Sequence, residues 1–294
     1  MRGYDYVAPQ STEEALELLG RDGSVPIAGG TDLLVAMRKG LTRPRCLVDV
    51  TVLGMDYIRE REGVLAIGAT TTFSDIVDSR VVRDKVPALA EAAASIGSVQ
   101  VRNLATIGGN LCAAVPSADS APPLLALDSE VVVVGSGGTR SLPLRDLFTG
   151  PKQTALRQGE LLVEIRVPLP PPGTGTCFLK VGRRRAVSLA VVNAAVAIRR
   201  RPDGTTVEDV RIALGAVAPT PVRAVRAEQV LRGQPFSEAA VEEAASVAEG
   251  EIAPISDIRG TAAYRRDVSR ALVKRALLTA WDKANRQEGC GHGG

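Results

Sequence analysis

Four prolines stand within five residues of the stretch VPLPPPGTGT, which spans 167–176. Proline lacks a backbone N–H and fixes φ, so neither a helix nor a central strand continues through such a segment. The stretch therefore predicts a boundary between two domains. We place the first domain at 1–170 and the second at 176–285, followed by a disordered tail at 286–294.

The first domain alternates short apolar runs with helical patterns. A strand is predicted at Tyr4–Val7, and a helix begins after Ser11, because Glu14 three residues later completes a capping pattern. The segments SVPIAGG and TDLLVAMRKG predict a short buried strand and then a helix that ends at Gly40. The segment EVVVVGSGGTRSL, 130–142, predicts a hairpin with a glycine-rich turn.

The second domain begins with three strand-like runs, CFLKVG, LAVVNAAVAIR and VEDVRIALGAV. The remainder, from TPVRAVRAEQVLRG onward, is predicted to be helical and to end in a long helix at about 260–285. Four side chains of that helix recur at helical spacing and are expected to contact a core, namely Tyr264, Val268, Leu272 and Leu278. The pattern predicts a three-stranded sheet covered by a helical layer, and an α+β fold for the whole chain.

Charge and hydropathy argue against two functional classes. A formal net charge of +3 over 294 residues is too small for the basic stripe of a nucleic-acid-binding protein. The arginine triplets at 183–185 and 199–201 are interpreted as solvated strand ends, and a local binding patch is the alternative. The longest apolar run, 186–198, is too short and too polar to cross a bilayer, and the N-terminal segment lacks the apolar stretch of a signal peptide.

Cysteine and histidine usage bears on metal sites and compartment. The four cysteines, Cys46, Cys112, Cys177 and Cys290, are far apart and never form a C-x-x-C pair. This spacing argues against a disulfide framework and against a self-contained zinc or iron–sulfur site, and a reducing cytoplasm is expected. The only histidine, His292, lies in the tail GCGHGG, which is interpreted as a disordered end, with a metal-binding tail as the alternative.

Two glycine pairs occur in similar local contexts, in PIAGGTDLL at 26–34 and in ATIGGNL at 105–111. Adjacent glycines are about as frequent in this chain as chance predicts, so a glycine pair alone indicates nothing, and only the neighbouring residues can point to a function. The first pair joins a predicted strand to a predicted helix, where free backbone N–H groups bind anions and glycine allows a ligand to approach closely. Two such segments would suit a diphosphate, and two ordinary tight turns are the alternative. Neither pair belongs to a G-x-G-x-x-G fingerprint, which argues against dinucleotide binding of the Rossmann type.

The segments PIAGGTDLLVAMR and SIGSVQVRNLATIGGNLCAAVPSADSAPPLLALDSEV together resemble the FAD-binding subunit of molybdenum hydroxylases. That family includes carbon monoxide dehydrogenases, xanthine dehydrogenases and nicotinate-type hydroxylases. GELLVEIRVP, FLKVGRRRAVSLAVVNAAVAI and YRRDVSRALVKRAL have counterparts in the expected order, so the resemblance covers nearly the whole chain. It implies a two-subdomain FAD-binding fold of the PCMH (vanillyl-alcohol oxidase-like) type, with subdomains at about 1–56 and 57–170. A C-terminal domain with a three-stranded antiparallel sheet and a helical layer follows.

The resemblance also implies which residues bind FAD. Both glycine segments would bind the diphosphate through backbone amides, and later residues would approach the ribityl chain and the ring. For Asp119 the alternative to FAD binding is a role as a loop cap. For Lys180 the alternative is a solvated residue on a strand. The implied cofactor-binding residues are Pro26, Ile27, Ala28, Gly29, Gly30, Thr31, Asp32, Leu33, Ile96, Thr106, Gly108, Gly109, Asn110, Ala113, Asp119, Leu162 and Lys180.

The resemblance implies an electron-transfer subunit that carries non-covalent FAD, because covalent attachment in the wider fold uses histidine and none precedes His292. Substrate would be hydroxylated on a large subunit with the molybdenum cofactor. Electrons would pass through a small [2Fe–2S] subunit to FAD here and on to an external acceptor, within a dimer of heterotrimers. No catalytic residue is assigned to this chain. The alternatives are a stand-alone flavoprotein reductase of the same flavin-binding fold and a non-enzymatic FAD-binding protein.

Overall fold

The structure is a computed structural model that describes residues 3–184 and 187–289. The chain begins with a small parallel sheet of order β1-β3-β2. The elements here are β1 (Asp5–Val7), α1 (Thr12–Leu19), β2 (Ser24–Ile27), α2 (Leu33–Arg38) and β3 (Cys46–Asp49). As predicted, Ser11 caps α1 by accepting a hydrogen bond from the Glu14 N–H.

An antiparallel sheet of order β4-β5-β10-β6-β7 follows, with most of its helices inserted between β5 and β6. The elements are β4 (Ile58–Arg61), β5 (Val64–Gly68), α3 (Phe73–Asp78), α4 (Arg80–Lys85), α5 (Pro87–Ala94), α6 (Val99–Arg102), α7 (Ile107–Cys112), α8 (Ala121–Ala126), β6 (Glu130–Gly135), β7 (Gly138–Pro143), α9 (Leu144–Leu147), β8 (Phe148–Gly150), β9 (Gln153–Thr154) and β10 (Leu161–Pro168). The predicted hairpin at 130–142 is the pair β6–β7. The strands β8 and β9 form a separate two-stranded hairpin.

Beyond the prolines lies an antiparallel sheet with a helical layer. Its elements are β11 (Thr174–Gly182), β12 (Ala190–Arg200), β13 (Val207–Gly215), β14 (Val222–Arg223), α10 (Val225–Leu231), α11 (Glu238–Glu249) and α12 (Ala262–Gly289). A fourth, two-residue strand, β14, pairs with β13 in a segment predicted to be helical. Pro221 favours extended backbone at the residue before it, and α10 starts only at Val225.

The long helix α12 differs from the prediction in its end and in its buried face. It continues to Gly289, four residues beyond the predicted Asn285, and the rest of the predicted tail, 290–294, lies outside the described residues. Leu272 packs in the core, and Val268 packs partly buried against it. Tyr264 and Leu278, in contrast, are 48% and 39% exposed. Besides Leu272, the core face is formed by residues that the prediction did not name, Val273, Ala276, Leu277, Ala280 and Trp281.

The central strand β12 is buried on both faces, which joins the two halves of the chain. Val196 and Ile198 pack with the C-terminal helices, whereas Ala195 and Ala197 belong to the core of the N-terminal half. Alanine on the second face leaves room for α8 to pack against the sheet. Segments that are far apart in the sequence therefore pack together through β12.

Candidate functional site

A cleft of about 470 Å³ lies where the parallel sheet meets the segment around α7. Its volume falls within the usual range for small-molecule and cofactor sites. The lining residues come from β2 and the loop after it, from α7 and its flanks, and from the start of β10. They are Val25, Pro26, Ile27, Ala28, Gly29, Gly30, Thr31, Asp32, Leu33, Ala36, Val50, Met55, Ala69, Thr70, Ala105, Thr106, Gly108, Gly109, Asn110, Cys112, Ala113, Val115, Lys152, Leu161 and Leu162.

The first glycine segment presents free hydrogen-bond donors to this cleft. The strand β2 ends at Ile27, Gly30 has φ +67°, and α2 starts at Leu33 without a side-chain cap. Within the described part of the chain, the N–H groups of residues 30–33 donate to no other residue. Buried or partly buried N–H groups of this kind need a partner, and an anionic ligand supplies one.

Gly29 has a different role from that of its neighbour. A Cβ at this position would lie 1.7 Å from the carbonyl oxygen of Leu104, so the backbone of the second segment passes directly against it. The first glycine therefore docks the two segments together, and the second, at positive φ, turns the chain into α2.

The second glycine segment forms the first turn of α7, with Thr106 as its N-cap. Its N–H groups already donate within the chain: Ile107 to the Thr71 carbonyl, Gly108 to the Ala69 carbonyl, Gly109 to Thr106 Oγ1 and Asn110 to the Thr106 carbonyl. This differs from the expectation of a second set of free donors. The segment faces the cleft instead through the exposed Gly109 and through the half-buried Asn110.

The Asn110 amide is oriented by Ser120, the residue that directly precedes α8. Ser120 Oγ donates to Asn110 Oδ1 at 2.6 Å, and Ser120 itself is fully buried. With its oxygen engaged, the Asn110 amide nitrogen remains as a donor toward the cleft.

Three of the implied FAD residues do not line the cleft. Ile96 lies in the core of the N-terminal half. Lys180 Nζ contacts Asp119 Oδ2 at 2.5 Å and the Ser95 carbonyl at 3.0 Å, and Asn193 Nδ2 donates to Asp119 Oδ1 at 2.7 Å. Burial raises the pKa of Asp119, and the charge and hydrogen bond of Lys180 act in the opposite direction. Asp119 precedes Ser120, so this buried ion pair adjoins the residue that orients Asn110.

Sequence reasoning missed several lining residues, some inside the two glycine-containing segments and some in parts of the chain without a motif. They are Val25, Ala36, Val50, Met55, Ala69, Thr70, Ala105, Cys112, Val115, Lys152 and Leu161. Most are apolar and follow from the path of the strands. Lys152 is exposed and lies in the turn of the β8–β9 hairpin, where no sequence signal points to a ligand.

The cleft fits an elongated cofactor that carries a diphosphate and apolar rings. It combines apolar walls with a row of free N–H donors at 30–33 and the amide of Asn110. The charged side chains on its lining are Asp32 and Lys152. Among the described residues, no group of three or more His, Cys, Asp and Glu side chains is placed to hold a metal ion. None of the described helices is long and apolar enough to span a membrane.

Two family models match the chain. Residues 2–170 match the FAD binding domain in molybdopterin dehydrogenase, and residues 178–280 match the CO dehydrogenase flavoprotein C-terminal domain. Together they cover both sides of the proline-rich segment.

Individual relatives match over almost their whole length. The carbon monoxide dehydrogenase medium chain of Hydrogenophaga pseudoflava is 38% identical, over 95% of this chain and 97% of that one. The glyceraldehyde dehydrogenase medium chain of Sulfolobus acidocaldarius is 35% identical, over 93% and 97%. A solved structure of the Hydrogenophaga pseudoflava carbon monoxide dehydrogenase, in a form that lacks the Mo-pyranopterin moiety of the molybdenum cofactor, superposes with a TM-score of 0.92 at 38% identity. That superposition covers 95% of this chain and 98% of the other.

Proposed function

The chain belongs to the FAD-binding medium subunits of the xanthine dehydrogenase and carbon monoxide dehydrogenase family, and we propose that it is the electron-transfer subunit of a molybdenum hydroxylase. In this proposal it accepts electrons from a [2Fe–2S] subunit and delivers them to an external acceptor. Bound FAD supplies the two-electron carrier that connects these steps.

The observation that supports the proposal best is the convergence of both glycine segments on one cleft. Every implied residue from Pro26 to Leu33 lines it, as do Thr106, Gly108, Gly109, Asn110, Ala113 and Leu162. We propose that the N–H groups of 30–33 and the Asn110 amide donate to the diphosphate. Leu162 then packs against the rest of the cofactor.

Asp119, Lys180 and Ile96 are proposed to act at the edge of the site. The Asp119–Lys180 pair spans the two halves of the chain, since Lys180 lies on β11 and Asp119 precedes α8. An ion pair held by Asn193 and the Ser95 carbonyl keeps the C-terminal sheet in a defined position relative to the cleft. We propose that this position aligns the flavin end of the site.

The assembly is proposed from the family. We place the molybdenum cofactor and the [2Fe–2S] clusters of the proposed enzyme on a large and a small partner subunit, in a cytoplasmic dimer of heterotrimers. The domain limits 1–170 and 176–285 belong to the same proposal, with the subdomain division near residue 56.

Co-purification from the native operon tests this function. We expect the chain to emerge with a molybdenum subunit and an iron–sulfur subunit, and substrate turnover to require all three. A complex assembled without FAD should still reduce an artificial one-electron dye from the iron–sulfur subunit but should lose transfer to the physiological acceptor. Recovery of the chain without partners, together with unaided oxidation of a substrate, would refute the proposal.

A further inference from the structure

Lys152 is the one cationic side chain among the described residues that line the cleft. Its exposed ammonium forms no ion pair or side-chain hydrogen bond with the described part of the chain. The other charged lining residue, Asp32, is an acid. The protein side of the cleft therefore carries no net formal charge.

The backbone at Lys152 adopts a conformation that favours glycine. Lys152 has φ +59°, in the turn between β8 and β9. Non-glycine residues in this left-handed region are uncommon, and they persist where the surrounding structure holds them. Glycine at this position would be free of that strain, so Lys152→Gly removes the side chain without a backbone penalty in the folded state.

A second non-glycine residue with positive φ, Ala114, connects this turn to the segment that lines the cleft. The Lys152 N–H donates to the Ala114 carbonyl at 2.8 Å, and Ala114 itself has φ +45°. Ala113 and Val115, on either side of Ala114, line the cleft. The hydrogen bond therefore fixes the Lys152 turn to the segment that follows α7, which keeps the side chain at the cleft.

We propose that Lys152 pairs with the cofactor's diphosphate and supplies the positive charge that the rest of the cleft lacks. This rests on the proposed FAD binding and adds a residue outside both glycine segments. A diphosphate brings about two negative charges, whereas the N–H groups of 30–33 offer hydrogen bonds without a full charge. A lysine ammonium is a compact point charge well suited to phosphate. The same cation would also suit the negative charge of a reduced flavin ring, so the test measures riboflavin in both its oxidised and its reduced form.

The test measures the affinity of the purified apo chain for FAD, ADP and riboflavin. Relative to wild type, Lys152→Gln is expected to bind FAD and ADP about tenfold more weakly and to leave riboflavin unchanged, as for loss of one charge-assisted contact. Lys152→Arg should retain most of the affinity. Raising the ionic strength should weaken FAD binding more in wild type than in Lys152→Gln. Lys39→Gln, which removes an exposed charge outside the cleft, is the matched control and should bind like wild type.

Several outcomes overturn the inference. Equal FAD affinity in Lys152→Gln and wild type would show that Lys152 does not contact the cofactor. An equal loss of FAD affinity in Lys39→Gln would show that the effect comes from the net charge of the chain. Riboflavin binding that weakens as much as FAD binding places the cation on the ring. If wild type itself binds no FAD, the proposed function fails instead.

Lys152→Gly separates ligand binding from folding. Glycine relieves the backbone at φ +59°, so the apo variant should melt at or above the wild-type temperature while FAD affinity falls as in Lys152→Gln. An apo variant that melts like wild type and also binds FAD with wild-type affinity would overturn the ligand assignment.

Discussion

Replacing Gly109 with alanine should separate FAD binding from folding. Gly109 lies inside α7 with an ordinary helical backbone, so alanine meets no conformational barrier there. A Cβ at this position would have one near neighbour, Thr106 Oγ1 at 2.8 Å, and otherwise open space at the cleft. Its methyl group would therefore stand where the cofactor must approach.

The effects on folding nearly cancel. Alanine in place of glycine stabilises a helix by about 1 kcal/mol. Displacing the Thr106 cap costs about 1 kcal/mol, so the net change in unfolding free energy should be close to zero. Gly108→Ala is the contrasting case, because its Cβ would lie 2.7 Å from the Ala69 carbonyl oxygen in a packed region. Overpacking of that kind costs about 1–3 kcal/mol.

The assay compares denaturant unfolding of the apo chain with FAD titration. We expect Gly109→Ala to unfold like wild type but to bind FAD about 5- to 150-fold more weakly, from a steric cost of about 1–3 kcal/mol at the site. Gly137→Ala is the control, since a Cβ there meets nothing within 4 Å and lies outside the cleft. Unchanged FAD affinity in Gly109→Ala would show that α7 does not contact the cofactor.

Three further predictions concern attachment, pH and the buried ion pair. The purified chain should be yellow with about one FAD per chain, and acid should release all of it because no histidine precedes His292; flavin retained on the denatured chain would contradict this. The hydrogen bond from Arg140, with a second one from the Arg157 N–H, holds the pKa of Glu160 at about 2, below its usual 4.5. The resulting stabilisation is present above pH 4.5 and is lost as the pH falls toward 2. In denaturant titrations Glu160→Gln should therefore lower the unfolding free energy by about 1–2 kcal/mol at pH 7, after allowance for solvent screening, and by progressively less below pH 4.5. A difference that stays constant across that pH range would refute the prediction. Asn193→Ala should lower the unfolding free energy by about 1–3 kcal/mol, because buried Asp119 loses a hydrogen bond; equal stability would show that Asn193 is dispensable there.

The sequence alone determined the features that depend on neighbouring residues. The cap formed by Ser11 on the Glu14 N–H, the β6–β7 hairpin and the break at the prolines, which the structure has at 169–173, all arise within a few residues. The resemblance carried by the two glycine segments also identified the family, because those motifs occur in a specific order.

The tertiary structure decided everything that depends on distant partners. Helical spacing alone did not show which face of α12 is buried, so Tyr264 and Leu278 were assigned to the core although both are exposed. The glycine pairs look alike in sequence, but the N–H groups of the second are taken up partly by Ala69 and Thr71, which follow β5. Lys152 lies at the cleft in a turn whose N–H donates to the carbonyl of Ala114, a residue 38 positions earlier in the chain. The neighbouring sequence does not show which group a backbone N–H or an exposed lysine will bind, because packing between segments far apart in the chain decides it.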